Sequence, residues 1–239
     1  MLFESVGVQA MLVLPPIVII ADGTIDPPTA PIHTTDKVNY VFLDNIYNHT
    51  IIVYRSNIMI DGNGYTLSCG NQTGHGFAIA ANNVTIRNTN VCGFYFGIGL
   101  GDGYNYVSNV VLRENNITDN VCGVGLHWSS NNTFYHNNFI NNTLRHVLID
   151  TTKIDPSNNT WDNGYPSGGN YWSNYTGTDT NGDDLGEDPH IIDSNNQDNY
   201  PFVNVIPEFP SYLILPLFMI ATLLAAILYR RKYSISRGC

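Results

Sequence analysis

Hydrophobic and polar residues alternate in short stretches that recur through the middle of the chain. Each stretch starts at an asparagine, and the five copies read NIMIDGNGY, NVTIRNTNV, NVVLRENNI, NNTFYHNNF and NNTWDNGYP. Their first residues are Asn57, Asn83, Asn109, Asn131 and Asn158, so the copies lie 26, 26, 22 and 27 residues apart. Alternation with a period of two over four or five residues predicts β-strands, and a repeat of this length predicts a solenoid.

The aligned copies predict which side chains face the interior. Positions one and three after the first asparagine share one face of a strand and are mostly apolar: Ile58 and Ile60, Val84 and Ile86, Val110 and Leu112, Asn132 and Phe134, Asn159 and Trp161. Seven places after the start, Asn90, Asn116 and Asn138 align. Asparagine tolerates left-handed backbone and stacks its amides, so this column predicts a ladder at a turn.

A second strand follows in each coil. It reads FAIA from residue 77, GIGL from residue 97 and GVGL from residue 123. Several short strands per coil, separated by tight turns, predict an all-β fold, the right-handed parallel β-helix. A leucine-rich repeat, the main rival, needs leucine at several fixed positions and a helical return segment, and the copies have neither.

Three parts of the chain carry a resemblance to a known family. The coils, the segment IVIIADGTIDPPTAPI (residues 17–32) and the segment GNYWSNYTGTDTNGDDLGEDPHIIDSNNQDNYPFV (residues 169–203) are similar to archaeal NosD-like proteins, a family called periplasmic copper-binding. The resemblance covers residues 17–210. It implies a β-helix of the pectin-lyase type and makes copper a candidate ligand, but it implies no defined reaction.

The segments predict a domain order. Residues 1–20 form either a degenerate signal segment or, through PPIVIIADG, the first strand, and both alternatives stay open. Residues 17–165 form the β-helix coils, and residues 166–205 form a closing segment that caps the last coil. Residues 206–211, which contain PEFPS, form a linker.

The C-terminal part predicts a membrane anchor. Residues 212–229, YLILPLFMIATLLAAILY, carry no charge and are followed at once by RRK. An apolar stretch of this length with a basic stop predicts a transmembrane helix, with the β-helix outside the cell and residues 230–239 in the cytoplasm. The order PEFPS, apolar span and basic cluster resembles the PEF-CTERM sorting signals of archaeal surface proteins. That resemblance implies an archaeosortase-like enzyme that removes the tail and leaves a lipid anchor.

The charge and the asparagine content of the chain limit which binding partners are expected. Before residue 230 the chain has six basic and 20 acidic residues, a net charge of −14. Such a surface repels phosphate, so nucleic acid is not an expected partner. Sequons at Asn48, Asn71, Asn141 and Asn174 predict a glycoprotein of the cell surface.

Two groups of residues are candidates for ligand binding. Arg87 and Arg113 align four places after the first asparagine, next to Asp61 in the same column. They can bind an acidic sugar, or they can be solvated with one ion pair between Asp61 and Arg87. Trp172 and Tyr175 belong to an aromatic cluster that forms either a carbohydrate platform or the cap of the solenoid.

Metal sites have weaker sequence support. The loop DTNGDDLGE places Asp179, Asn181, Asp183 and Glu187 at odd spacing, which predicts either a calcium loop or a loop held by Asx turns. Copper is the less favoured metal. Its candidate ligands are His127, His136 and His146, but no His-x-His pair or Cys-His spacing accompanies them.

The sequence contains no recognisable set of catalytic residues. The carboxylates of the coils mostly occupy different ladder positions, and the pair His75-Gly76 is expected in a loop without partners. We therefore expect a surface-anchored β-helix that recognises surface polysaccharide or mediates adhesion without catalysis. A polysaccharide lyase or glycoside hydrolase, and a NosD-like copper-handling protein, are the alternatives.

Overall fold

A computed structural model describes residues 14–101, 106–150, 152 and 157–207 of the chain. This part consists of strands, turns and irregular segments, and it holds no helix long and apolar enough to cross a membrane. The strands are β1 Ile17–Ile19, β2 Ile25–Asp26, β3 Ile32–His33, β4 Asn39–Phe42, β5 Ile46–Tyr47, β6 Ile51–Val53, β7 Ile58–Asp61, β8 Thr66–Ser68, β9 His75–Ile79, β10 Val84–Arg87, β11 Asn90–Cys92, β12 Phe96–Leu100, β13 Val111–Arg113, β14 Asn116–Thr118, β15 Cys122–His127, β16 Thr133–Tyr135, β17 Asn138–Ile140, β18 Arg145–Asp150, β19 Tyr171–Trp172, β20 His190–Ile191 and β21 Gln197–Asp198.

Three mainly parallel sheets wrap around one interior, and β2 and β3 add antiparallel pairs at the edges of two of them. Sheet A has the order β18-β15-β12-β9-β6-β1-β2, sheet B has β16-β13-β10-β7-β4-β3, and sheet C has β19-β17-β14-β11-β8-β5. β20 and β21 form a separate antiparallel pair. From β4 to β18, successive strands visit B, C and A in turn, and each pairs in parallel with its counterpart one coil away. The predicted parallel β-helix is therefore confirmed, with right-handed crossovers as the rule for parallel strands.

The predictions for the two ends of the chain fall partly outside the described residues. Of the two alternatives for PPIVIIADG, the structure has a strand at Ile17–Ile19, which pairs in parallel with β6. The PEFPS motif beyond Pro207, the apolar span at residues 212–229 and the basic tail at residues 230–239 lie outside the described residues. Their membrane and sorting roles stay predictions.

The predicted apolar column forms the core. Ile60, Ile86, Leu112, Phe134 and Trp161 are fully buried, and the strands pair so that these positions stack coil upon coil. Near the last coil the column becomes aromatic, with Phe134 and Trp161 stacked at 4.2 Å between ring centroids. The fifth copy of the repeat contributes one isolated bridge between Thr133 and Thr160 instead of a strand.

Residues with left-handed backbone conformation lie at the corners of the coils, although not at the column of Asn90, Asn116 and Asn138, where the sequence predicted them. Asn57, Asn83, Asn109 and Asn131, the first residues of four copies, have φ between 56° and 62°. Asn90, Asn116 and Asn138 do align, but they lie in strands β11, β14 and β17 and are absent from the positive-φ residues. The left-handed turn falls two residues earlier, on Asn88, Glu114 and His136, so that part of the prediction was wrong. The predicted stacking of amides is present at Asn116 and Asn138, because Asn138 Nδ2 donates to Asn116 Oδ1 at 2.6 Å.

The buried amide ladders lie inside the corners. One ladder joins Asn115, Asn137 and Asn170 between sheets B and C, a second joins Asn120 and Asn142 between C and A, and a third joins Asn132, Asn159 and Asn196 between A and B. Asn137 shows the pattern: its Oδ1 accepts the N–H of Asn115 at 3.1 Å, and its Nδ2 donates to the Leu112 carbonyl at 2.8 Å. Each ladder thus satisfies backbone groups that a tight corner leaves unpaired.

The closing segment ends two of these ladders. Asp198, which is fully buried, accepts the backbone N–H of Asn170 at 2.7 Å and the indole N–H of Trp172 at 2.9 Å. Asn196 accepts the N–H of Asn159 at 3.0 Å. Burial raises the pKa of Asp198 to about 6, because the carboxylate has given up its water. The segment therefore closes the solenoid with polar groups as well as with apolar cover.

Candidate functional site

A row of three side-chain rings runs across the outer face of sheet A. His75 on β9, Phe96 on β12 and His127 on β15 come from three successive coils. The centroid of Phe96 lies 5.2 Å from that of His75 and 5.3 Å from that of His127. The exposed ring of Tyr95 meets Phe96 edge-on at 5.0 Å. We call His75, Phe96 and His127 the ring row.

Two glycines let the rings lie on the sheet. A Cβ atom at Gly99 would come within 2.6 Å of the His75 ring, and one at Gly125 within 2.7 Å of the Phe96 ring. Real Cβ atoms do not approach other atoms so closely, so a side chain at either position would displace a ring. The glycines therefore form the floor of the ring row, a close approach that only a residue without Cβ permits.

The ring row carries little positive charge. Burial, together with the nearby His127, lowers the pKa of His75, so its imidazole is neutral at neutral pH. His127 Nδ1 lies 3.6 Å from Asp150 Oδ2 at the far end of the row. Hydrogen bonds from Thr152 lower the pKa of Asp150, so this carboxylate stays ionised. The site offers partly exposed rings, of which His75 and Phe96 are near-parallel and His127 is perpendicular to Phe96, together with imidazole donors and acceptors and one carboxylate.

The sequence held a signal for the ring row that the repeat analysis missed. The second-strand segments align as HGFAI, FGIGL and CGVGL, and the residue before the glycine supplies two of the rings. The expectation that His75-Gly76 lies in a loop without partners was wrong. His75 begins β9 and stacks on Phe96 with 20° between the ring planes.

The aligned arginines are engaged in ion pairs. Arg87 donates to Asp61 through Nη2 at 2.7 Å and Nε at 2.9 Å, which is the pair expected from the sequence. Arg113 lies in register with Arg87 and pairs with Glu114 at 2.6 Å. Neither guanidinium presents an unpaired charge to an acidic sugar.

The aromatic cluster near the C-terminal end serves as a cap. Trp172 is 1% exposed and lies between Phe139, at 4.3 Å, and His190, at 4.5 Å between centroids. Both faces of its indole are covered, so the carbohydrate-platform role does not apply to Trp172. Tyr175 packs against the core and donates its hydroxyl to the carbonyl of Asp188 at 2.6 Å.

A groove of about 350 Å³ separates the start of β18 from the closing segment. Burial lowers the pKa of its two histidines, His146 and His190, to about 4 in each case, so both are neutral at neutral pH. Asn142 Nδ2 lies 3.1 Å from His146 Nδ1, and the ladder fixes which way this amide points. His146 Nδ1 is therefore the acceptor, and Nε2 keeps its proton toward the Ser173 hydroxyl at 3.3 Å.

The loop proposed for calcium is held by its own hydrogen bonds. Asp179 accepts three backbone N–H groups of the loop, Asn181 accepts the N–H of Asp183, and Glu187 accepts the N–H and hydroxyl of Thr180. One oxygen, Asp183 Oδ2, is buried without a partner. The described residues contain no group of three His, Cys, Asp or Glu that could hold a metal ion. The calcium prediction is not supported, and Asx turns account for the loop.

The proposed glycosylation sites differ in accessibility. Asn71, Asn141 and Asn174 are exposed, whereas Asn48 is half-buried with φ 60°. Asn71 accepts the hydroxyl of Thr73, the third residue of its sequon, at 2.8 Å. Their modification stays a prediction.

The match to a known family lies on the coils. A family model described as periplasmic copper-binding protein (NosD) matches residues 30–177, more than half of the chain. These residues run from the start of β3 through the coils to the first part of the closing segment. No curated protein and no solved structure matches the chain.

Proposed function

The chain belongs to the NosD family, described as periplasmic copper-binding proteins, and we propose that it recognises polysaccharide outside the cell without transforming it. The proposed location follows from the family description and from the predicted anchor at residues 212–229. Recognition of polysaccharide rests on one observation, the ring row on the outer face of sheet A.

The ring row has the chemistry that sugar binding uses. Aromatic faces pack on the apolar faces of sugar rings, and the imidazoles of His75 and His127 can exchange hydrogen bonds with hydroxyl groups. The three rings follow one another at 5.2 and 5.3 Å and each is partly exposed, so a ligand can reach them. A row on a rigid scaffold pays little ordering entropy on binding.

The absence of catalysis is part of the proposal. Glycoside hydrolysis requires two carboxyl groups on opposite sides of the bond. Among the described residues, Asp150 is the carboxylate that pairs with the row, through His127, and its lowered pKa makes it a poor proton donor.

Affinity electrophoresis of the full chain in non-ionic detergent tests the proposal. In gels cast with polysaccharide, the chain is expected to be retarded without cleared zones. Phe96→Ala removes the middle ring and is expected to weaken apparent affinity by about tenfold. Tyr47→Ala is the matched control, because Tyr47 is an exposed aromatic residue on a different sheet. Equal retardation of Phe96→Ala and the parent chain would exclude the ring row, and cleared zones would exclude the non-catalytic function.

Copper handling is the second candidate function, because the family description names copper. The described residues do not fit a copper site. They hold no group of three His, Cys, Asp or Glu for a metal ion, and both nitrogens of His146 are already hydrogen-bonded. His190 stacks on Trp172 inside the cap.

We therefore predict that the full chain keeps no tightly bound copper. Protein produced in copper-supplemented medium and dialysed against a chelator should contain well below one copper per chain by inductively coupled plasma mass spectrometry. The measurement is repeated on His146→Asn and His190→Asn variants. About one copper per parent chain, lost in either variant, would favour copper handling over polysaccharide recognition.

A further inference from the structure

The charges around the ring row determine which polysaccharides it can accept. We propose that the ring row selects uncharged polysaccharides, laid across the strands along the axis of the β-helix. This inference rests on the proposed function, which it extends to a class of ligand. Three observations carry it: the charge of the row itself, the engagement of the cations elsewhere, and the direction in which the rings follow one another.

The permanent charge paired with the ring row is the carboxylate of Asp150. The imidazole of His75 is neutral, because burial and the neighbouring His127 lower its pKa. At the other end, the carboxylate of Asp150 lies within 3.6 Å of His127 and is one-third exposed. A carboxylate on a bound uronic acid would approach this negative charge, which repels it.

Most cations of the described chain are already engaged. Arg87 and Arg113 are paired with Asp61 and Glu114 on sheet B. Lys37 and Arg55 donate to backbone carbonyls near the N-terminal end of the solenoid. With these cations counted, the chain before residue 230 has a net charge of −14, so its surface is strongly negative. The field of such a surface slows the approach of polyanions.

Arg145 is the remaining lysine or arginine among the described residues, and it lines the groove. It lines the groove at the start of β18, whereas Asp150 lies at the end of that strand, about 16 Å away at 3.3 Å per residue. Its charge acts on the thiol of Cys122, and it is not among the groups that shift the pKa of His75 or Asp150. Arg145 therefore does not neutralise Asp150, although its backbone shares the strand register of Cys122 and Phe96.

The direction of the chain follows from the origin of the rings. His75, Phe96 and His127 come from consecutive strands of sheet A, so the row crosses the strands instead of following one of them. A polymer that contacts all three rings must cross these strands and so run along the solenoid axis, although the ring of His127 stands at 87° to that of Phe96 and does not share its stacking plane. Gly99 and Gly125 keep that path low, since a side chain at either position would push a ring outward.

The test compares matched polymers on the full chain in non-ionic detergent. Native gels contain an uncharged glucan, mannan or galactan, or the carboxymethyl derivative of the same polymer. The uncharged polymer is expected to retard the chain at least about tenfold more strongly than its carboxymethyl derivative at low salt, and Phe96→Ala should lose that retardation. Added salt should narrow the difference by screening Asp150. A chitosan gel measures the non-specific attraction between an acidic protein and a cationic polymer, which Phe96→Ala should not change.

The outcomes separate the inference from the proposed function. Retardation by carboxymethyl polymers that equals or exceeds retardation by the uncharged ones would overturn the charge selection and leave polysaccharide recognition intact. No retardation by any polymer would overturn the proposed function itself. Asp150→Asn should raise the retardation by the carboxymethyl polymer relative to the uncharged one. Asp44→Asn, an exposed carboxylate between β4 and β5, should not change this ratio, and an equal effect of both variants would assign the selection to net charge alone.

Discussion

At the scale of single residues, asparagine carries the architecture. A β-helix turns a corner after every strand, and each corner leaves backbone N–H and C=O groups inside the molecule without a strand partner. Asn137 satisfies such groups in both directions with one side chain, and it is fully buried. A stack of identical amides can do this at every coil, which explains why asparagine recurs at the turns of this chain.

Asn137→Ala tests that role. The change leaves the Asn115 N–H and the Leu112 carbonyl without their partners in a buried corner, so we expect a loss of about 3 kcal/mol in the free energy of unfolding. Asn90→Ala is the control, because its side chain makes one exposed hydrogen bond to the Gly64 carbonyl. Urea unfolding of the two variants measures the difference, and equal losses would mean that the buried ladders add nothing specific.

At the scale of strands, the three sheets end differently at the C-terminal end. Sheet C finishes with β19 on β17, and sheet B finishes with the bridge to Thr160 on β16. Within the described residues β18, the last strand of sheet A, pairs with β15 alone and is half-exposed along its length. One edge of this six-residue strand therefore faces the groove instead of another strand.

The open edge predicts uneven amide protection within one coil. Amide hydrogens of β18 should exchange at least about tenfold faster than those of β17, which belongs to the same coil and is covered by β19. Hydrogen–deuterium exchange with mass spectrometry on the full chain measures both strands in one experiment. Equal protection of β17 and β18 would show that β18 is covered in solution.

At the scale of the whole molecule, the repeated coils could be predicted from the sequence more completely than the contacts of the closing segment. The period and the alternation placed Ile60, Ile86 and Leu112 in one buried column, because a coil can only bury its apolar face against the next coil. They did not show that Asn196 and Asp198 complete the ladders, because these contacts join residues far apart in the chain. The ring row escaped for another reason: the column of His75 and Phe96 continues as Cys122, and the third ring, His127, comes from the other end of its strand.

The closing segment also predicts how stability depends on pH. The pKa of His146 and of His190 falls from 6.5 to about 4 on folding, so their contribution is complete above pH 6.5 and is lost as pH falls toward 4. The pKa of Asp198 rises from 3.8 to about 6, so its contribution is complete below pH 3.8 and is lost as pH rises through 6. Two histidines outweigh one carboxyl group, and stability should therefore fall on acidification from pH 6.5 to 4.5.

His190→Phe separates these contributions. Phenylalanine keeps a ring stacked on Trp172 but cannot bind a proton, which leaves His146 and His75, whose pKa burial also lowers, opposed by Asp198, and the pH dependence should become clearly shallower. Urea unfolding midpoints at pH 6.5, 5.5 and 4.5 measure the slope, and His33→Phe, a change at an exposed histidine of β3, should keep the parent slope. A parent chain whose midpoint rises on acidification would mean that Asp198, at the end of its asparagine ladder, controls the closing segment alone.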